Sequence, residues 1–100
     1  MGELVWTLIA IEDLQNAFEK LEDSRPGAGE EFVMNTEARL QLLKRFPRMN
    51  RLYFSPFRKL RLVGNYGLFY VIETRGIVIH AVVDLRQDPS GLRRRLTGES

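Results

Sequence analysis

The sequence contains no cysteine and a single histidine, His80, and these absences remove several kinds of chemistry. Without thiols the chain forms no disulfide and no thiolate zinc site, and one imidazole argues against a histidine-based metal site. The longest apolar run, from Leu4 to Ile11 with Thr7 inside it, is too short to span a bilayer. It also lacks the basic leader and the cleavage site of a secretory signal, so we expect a cytoplasmic protein.

The composition is that of one globular domain with one core. The chain has 100 residues, of which 44% are hydrophobic and 28% charged. We therefore treat residues 1–100 as a single domain, with a basic tail from about residue 90.

The net charge of +2 conceals an uneven distribution of charge along the chain. Residues 1–50 carry nine acidic and six basic side chains, whereas residues 51–100 carry four acidic and nine basic ones. Between Lys44 and Arg61 there are seven basic residues and no acidic one. This run suits a nucleic-acid or acidic-protein partner, although a solvated loop has the same composition.

Two amphipathic helices are predicted in the first half, after a short strand at residues 3–7. Thr7 suits the N-cap of the first helix, whose apolar residues recur at helical spacing until about Asp23. A second helix follows and is closed by Pro47. Its apolar stripe consists of Phe32, Thr36, Leu40 and Leu43. We expect the two helices to form an antiparallel hairpin.

The hinge between these helices, residues 24–29, is rich in glycine. Glycine-rich loops before helices can bind phosphate, but this one follows a helix rather than a strand. It also leads into Glu30 and Glu31, whose carboxylates would repel an anion. The sequence therefore argues against a phosphate site here.

Residues 57–86 read as three strands joined by two glycine-bearing turns, which is typical of an antiparallel meander. A three-residue loop at 63–65, with Asn65 at positive φ, makes one face of the first two strands wholly apolar. That face carries Leu60, Leu62, Tyr66, Leu68, Tyr70 and Ile72. In the third strand we expect the odd positions from Ile77 to Leu85 to lie on the same face.

The opposite face of the meander is predicted to be half basic and half apolar. It would carry Lys59, Arg61, Phe69, Val71, Val78, His80, Val82, Asp84 and Arg86. A contiguous apolar group rimmed by charge suggests a binding surface, and we expect this face to be open to a partner. The alternative is that the N-terminal strand or the tail covers it.

The order of these elements resembles the RelE/ParE toxin superfamily of bacterial type II toxin–antitoxin systems over nearly the whole chain. The residues that carry the resemblance are Thr7-x-x-Ala10-x-x-Asp13-Leu14, Arg25-Pro26-Gly27-Ala28-Gly29-Glu30-Glu31-Phe32, the helix end from Leu43 to Pro47, Arg58-x-Leu60-Arg61, Tyr66-x-Leu68-Phe69-Tyr70 and Arg86-x-Asp88-Pro89. The resemblance implies an α+β fold in which the helix hairpin packs on one face of the three-stranded meander. It implies no cofactor, no metal, no small-molecule substrate and no membrane.

The superfamily divides by activity, and the resemblance leaves two activities open. RelE-like members cut mRNA in the ribosome, using basic residues and usually a C-terminal Tyr or His. Here Lys59, Arg61 and Arg86 could hold phosphates and His80 could exchange protons, but no Tyr or His follows Arg86. ParE-like members are implied to bind DNA gyrase and trap its cleaved-DNA state, and the hinge and the tail around Asp88 resemble this branch more closely.

We therefore expect a ParE-like toxin that is not an enzyme, with a RelE-like mRNA endonuclease as the alternative. A third possibility, from another class, is a small RNA-binding module, since an α–β–β–β order with a basic tail also occurs there. The resemblance further implies a cognate antitoxin as partner. Its expected contacts are Lys59, Arg61, Phe69, Val71, Val78, Val82 and Arg86.

Overall fold

A computed structural model describes residues 3–87 and 89–98 of the chain. The elements, in order, are β1 (Leu4–Trp6), α1 (Leu8–Ser24), α2 (Ala28–Arg45), β2 (Leu52–Phe54), β3 (Phe57–Arg61), β4 (Tyr66–Glu73), β5 (Gly76–Asp84) and α3 (Pro89–Thr97). The expected α+β fold, with an N-terminal strand, two helices and an antiparallel meander, is confirmed. Within the described ranges, no helix has both the length and the hydropathy needed to cross a membrane.

The strands form one five-stranded sheet in the order β1-β5-β4-β3-β2. The predicted meander is β3, β4 and β5, which pair antiparallel. The sheet is wider than predicted because β1 adds parallel to β5 at one edge and β2 adds antiparallel to β3 at the other.

The turn between β3 and β4 has the predicted three-residue form. The Leu62 N–H donates to the Tyr66 carbonyl over 2.8 Å, and Asn65 takes the left-handed conformation with φ of 66°. Leu60 accordingly pairs with Leu68. The predicted register of these two strands is confirmed, and its apolar side chains belong to the main core.

Helices α1 and α2 cover this apolar face. Thr7 caps α1 as predicted, because its Oγ1 accepts the Ala10 N–H over 3.1 Å. The expected stripe of α2 is buried throughout, and the ring of Phe32 lies 5.1 Å from that of Tyr66 on β4. The main core thus sits between the helix hairpin and one face of the sheet.

A bulge in β5 breaks the predicted alternation of that strand. Tyr70 pairs with Ile79 but its neighbour Phe69 pairs with Ala81, so His80 is an extra residue. A bulge of this kind moves every later side chain to the other face. The predicted facing was therefore wrong beyond His80: Val82 lies in the main core opposite Leu68.

The same shift relocates Asp84, which was also expected on the open face. Asp84 pairs with Tyr66 and so lies on the helix side of the sheet. Ala81 and Val83 take the opposite side, where Ala81 pairs with Phe69 and Val83 with Gly67.

The N–H groups of the glycine-rich hinge bind the carboxylate of Glu22, a side chain of the same molecule. The Glu22 carboxylate accepts the N–H groups of Gly27, Gly29 and Glu30 at 2.9–3.3 Å. These hydrogen bonds, above all the one from Gly27, lower the pKa of Glu22. The N-terminus of α2 is therefore satisfied internally, by Glu22.

Gly29 lets the two helices approach closely beside this hinge. A Cβ at this position would lie 2.6 Å from the Phe18 carbonyl oxygen of α1. Only glycine fits this crossing without moving backbone.

Candidate functional site

The second face of the sheet, which was expected to be open, is largely buried. Phe69 and Val78 have no exposed surface and Val71 has almost none. The side chains of β2 lie over this face, with the Tyr53 ring 5.1 Å from that of Phe69 in an edge-on contact. This covering corrects the expectation that the apolar residues of this face are free for a partner.

The tail completes the cover. The basic tail forms the helix α3, which runs over nine residues. The Arg93 guanidinium lies 4.4 Å from the centre of the Phe54 ring. Leu92 borders a cleft of about 280 Å³ together with Tyr53 and Val83. The second face is thus covered by the tail, as the alternative proposed, and also by β2, which the alternative did not include.

Asp13 joins α3 to the rest of the molecule. Strand β1 ends at Trp6, opposite Ile79, and within the described part of the chain no strand pairs with this edge of β5 beyond that point. The Asp13 carboxylate accepts the Val82 N–H of this edge over 3.0 Å and also binds the Arg95 guanidinium of α3. The Asp13 carboxylate of α1 therefore links this helix to both β5 and α3.

The predicted cationic residues are each engaged by a different neighbour. Lys59 Nζ lies 5.5 Å from the centre of the Tyr53 ring. Arg61, at the end of β3, donates to Asn65 Oδ1 over 3.4 Å. Both residues keep exposed surface, and neither forms a salt bridge within the described part of the chain.

Arg86 lies in the turn after β5 and is paired with Asp84. Its Nε and Nη2 atoms donate to the two Asp84 carboxylate oxygens over 3.0 and 2.7 Å. The side-chain hydrogen bond from Arg86 is the main reason that the pKa of Asp84 falls to about 2. The positive charge of Arg86 is thus largely neutralised by the carboxylate of Asp84.

His80 lies within the covered face. Its ring meets the Phe57 ring edge-on at 5.4 Å, and its Nε2 is buried without a hydrogen-bond partner among the described residues. Burial lowers the pKa of His80, so the ring is neutral at pH 7. A proton-transfer role for His80 stays a prediction, but no described side chain orients the ring for it.

Sequence reasoning missed an apolar groove on the other side of the molecule. It lies between α1, α2 and β1 and has a volume of about 410 Å³. Its apolar lining is Leu4, Trp6, Ile11, Leu14, Val33 and Leu40. Thr36 lies beneath it, with a buried Oγ1 that has no hydrogen-bond partner in the described ranges.

Exposed apolar side chains extend this groove. Leu8 is 79% exposed and lies one helical turn before Ile11, which is itself half exposed. The sequence did carry a signal for this surface, because residues 8–11 are all apolar although a buried helix stripe needs only some of them. We call this surface the hairpin groove. Among residues 3–87 and 89–98, no group of side chains could hold a metal ion.

Comparison with known proteins agrees with this architecture. The family described as "ParE toxin of type II toxin-antitoxin system, parDE" matches residues 4–89. A solved structure, the "Chromosomal ParDE TA system from P. aeruginosa", matches with a TM-score of 0.73 and 17% sequence identity. The match covers 85% of this chain and 97% of the other. No curated protein sequence matches the chain significantly. Because the family match spans most of the sequence, the chain belongs to the ParE toxin family of type II toxin–antitoxin systems.

Proposed function

We propose that this protein inhibits bacterial growth by binding DNA gyrase in the cytoplasm and trapping its cleaved-DNA state, and that a cognate antitoxin neutralises it. The observation that carries the proposal is the family match over residues 4–89. The similar fold of a chain from a ParDE toxin–antitoxin system supports it.

The placement of the candidate catalytic residues supports a binding mechanism over RNA cleavage. Cleavage at a ribose needs a group that removes the 2′-OH proton and another that neutralises the leaving oxygen. His80 lies under the cover of the second face, and the Arg86 guanidinium is paired with Asp84. Both side chains are therefore engaged within the protein, which supports binding over cleavage.

The hairpin groove is the surface that we assign to the antitoxin. An apolar segment of the antitoxin would fill the groove and cover Leu8 and Ile11, whose exposure to water is otherwise unfavourable. Of the contacts expected from the sequence, Lys59, Arg61 and Arg86 keep exposed surface and stay candidates. Phe69, Val71 and Val78 are reachable only if the cover of the second face moves, and Val82 lies in the main core on the other side of the sheet.

The target is tested by inducing the protein in bacteria and following plasmid supercoiling and mRNA integrity together. We expect plasmid DNA to relax and to accumulate protein-linked breaks while mRNA stays intact. Cleaved mRNA before any change in supercoiling would instead assign the RelE-like activity. Growth inhibition with neither lesion, together with RNA binding, would favour the small RNA-binding module.

The antitoxin surface is tested with Ile11→Glu, which places a carboxylate in the hairpin groove. We expect antitoxin affinity to fall by at least about tenfold while growth inhibition persists. Met34→Glu is the matched control, because Met34 is also an exposed apolar helix residue but does not line the groove. Equal affinities of the two variants would remove the groove from the proposal.

A further inference from the structure

A second exposed apolar surface lies where α2 ends and the chain leads into β2. Leu42, Phe46, Met49 and Leu52 are each about half exposed. Single exposed apolar residues are normal on proteins, but four large ones within eleven residues are not. We call residues 42–52 the connecting surface.

Backbone hydrogen bonds fix the conformation of this segment. The Phe46 N–H donates to the Leu42 carbonyl over 3.0 Å, and the Met49 N–H donates to the Phe46 carbonyl over 3.1 Å. These bonds hold Leu42, Phe46 and Met49 on consecutive turns. The backbone therefore holds these three residues close together.

A buried tyrosine anchors the same segment from below. The hydroxyl of Tyr70, a fully buried residue, donates to the Pro47 carbonyl over 2.8 Å and accepts from Asn50 Nδ2 over 3.2 Å. Arg58 Nη1 donates to the Asn50 carbonyl over 2.6 Å. The connecting surface is thus a fixed shape, which lowers the entropic cost of binding a partner.

Uncompensated positive charge borders the apolar side chains. Arg45, Arg48 and Arg51 are exposed and alternate with Phe46, Met49 and Leu52 along the chain. None of the three arginines forms a salt bridge within the described part of the protein. Residues 38–72 contain eight basic side chains and no acidic one. No salt bridge among residues 3–87 and 89–98 therefore neutralises the three arginines.

The combination of charges and apolar groups decides between two kinds of partner. A nucleic acid would explain the arginines but leave the apolar side chains without a role, since interfaces with nucleic acids are markedly polar. An amphipathic helix with acidic residues beside its apolar stripe satisfies both. Opposite charges at the rim would also steer the encounter.

We propose that the connecting surface is a docking site for an acidic amphipathic helix of a partner protein, separate from the hairpin groove. The apolar stripe of that helix covers Phe46 and its neighbours, and its carboxylates face Arg45, Arg48 and Arg51. The proposal concerns the chemistry of the partner and does not depend on gyrase being the target.

The test uses two synthetic peptides of about 18 residues with the same Leu, Glu and Ala content, one an amphipathic helix and one scrambled. Their binding to the full chain is followed by fluorescence anisotropy. We expect the amphipathic peptide to bind at least about tenfold more tightly than the scrambled one. The triple variant R45E/R48E/R51E should weaken its binding by about tenfold or more, and Phe46→Ser by about thirtyfold.

A charge-matched variant, K20E/R25E/R94E, serves as control because it changes the net charge equally at positions outside the connecting surface. It should bind the amphipathic peptide as the unmodified protein does. Circular dichroism confirms that each variant is folded, and Met49→Ser replaces Phe46→Ser if the latter is not.

Three results would overturn the proposal. The first is an equal loss of binding in the control variant, which would mean that only net charge matters. The second is equal binding of the scrambled peptide, or tighter binding of a duplex DNA of about 20 base pairs, which would indicate a polyanion site. The third is no binding of the amphipathic peptide at concentrations up to about 1 mM.

Discussion

Replacing Tyr70 by phenylalanine removes one oxygen atom from the centre of the molecule and should loosen the segment between α2 and β2. The Tyr70 hydroxyl makes two hydrogen bonds, to the Pro47 carbonyl and from the Asn50 side chain. Both partners belong to that segment, which has no regular secondary structure from Phe46 to Arg51. The hydroxyl is therefore a link between the core and the connecting surface.

The size of the effect follows from the burial of the site. Tyr70 has no exposed surface, so water does not replace the lost hydroxyl. Leaving a buried polar group without its partner costs about 1–3 kcal/mol. For a domain of this size, a loss of about 2 kcal/mol lowers the Tm by roughly 8–16 °C.

The chain contains its own matched control. Tyr66 is also buried on β4, but its hydroxyl forms no hydrogen bond within residues 3–87 and 89–98. Tyr66→Phe should therefore leave the Tm nearly unchanged. Thermal unfolding and amide hydrogen exchange of both variants measure the difference, and exchange should accelerate in residues 46–51 of Tyr70→Phe alone. Equal Tm values for the two variants would refute the reasoning.

Three further substitutions test other parts of the structure. Gly29→Ala should lower the free energy of unfolding by about 2 kcal/mol, because its Cβ would lie 2.6 Å from the Phe18 carbonyl oxygen. This loss is expected although alanine is the better helix former by about 1 kcal/mol. An unchanged urea midpoint would contradict the prediction. The pKa of Asp84, near 2 beside Arg86, lies below its ordinary value of 3.8, so its stabilising effect is complete above about pH 4 and is lost as the pH falls through 2. The Tm difference between the unmodified protein and Asp84→Asn should accordingly narrow between pH 5 and pH 2. A constant difference would show that the charge of Asp84 does not stabilise the fold. Asp13→Ala removes an acceptor from β5 and a contact from α3, so amide exchange in α3 should accelerate at least about tenfold while α2 keeps its protection; unaltered exchange in α3 would exclude this role.

The sequence predicted the parts of the fold that a single local demand decides. The turn at 63–65 followed from the need for one wholly apolar face, and Asn65 is the residue that tolerates the left-handed conformation. The stripe of α2 followed from helical spacing, and Phe32 is buried as expected. In both cases the residues of one short stretch are sufficient to determine the local structure.

The bulge at His80 could not be predicted in this way. Apart from Ala81, the residues around His80 are Ile and Val, and no glycine or proline marks the interruption. A contact from a distant part of the chain lies just beyond the bulge, because Asp13 of α1 accepts the Val82 N–H. An error of one residue there moved Val82 from the predicted binding face into the core.

The cover of the second face escaped prediction for a related reason. Leu92 and Leu96 are spaced for one helical face, but all three residues between them are arginines. In the structure the Arg93 guanidinium lies over the Phe54 ring and Arg95 binds Asp13, so two of these cations hold α3 against the rest of the molecule. Contacts made by charged groups give no hydrophobic signal in a sequence.

A gyrase assay with purified components shows whether gyrase is the target. The protein is added to gyrase, ATP and supercoiled plasmid, and protein-linked linear DNA is measured after detergent and protease treatment. We expect linear DNA to accumulate with increasing amounts of the protein, and added antitoxin to prevent this accumulation. Unchanged gyrase activity, together with cleavage of mRNA on purified translating ribosomes, would mean that mRNA and not gyrase is the target.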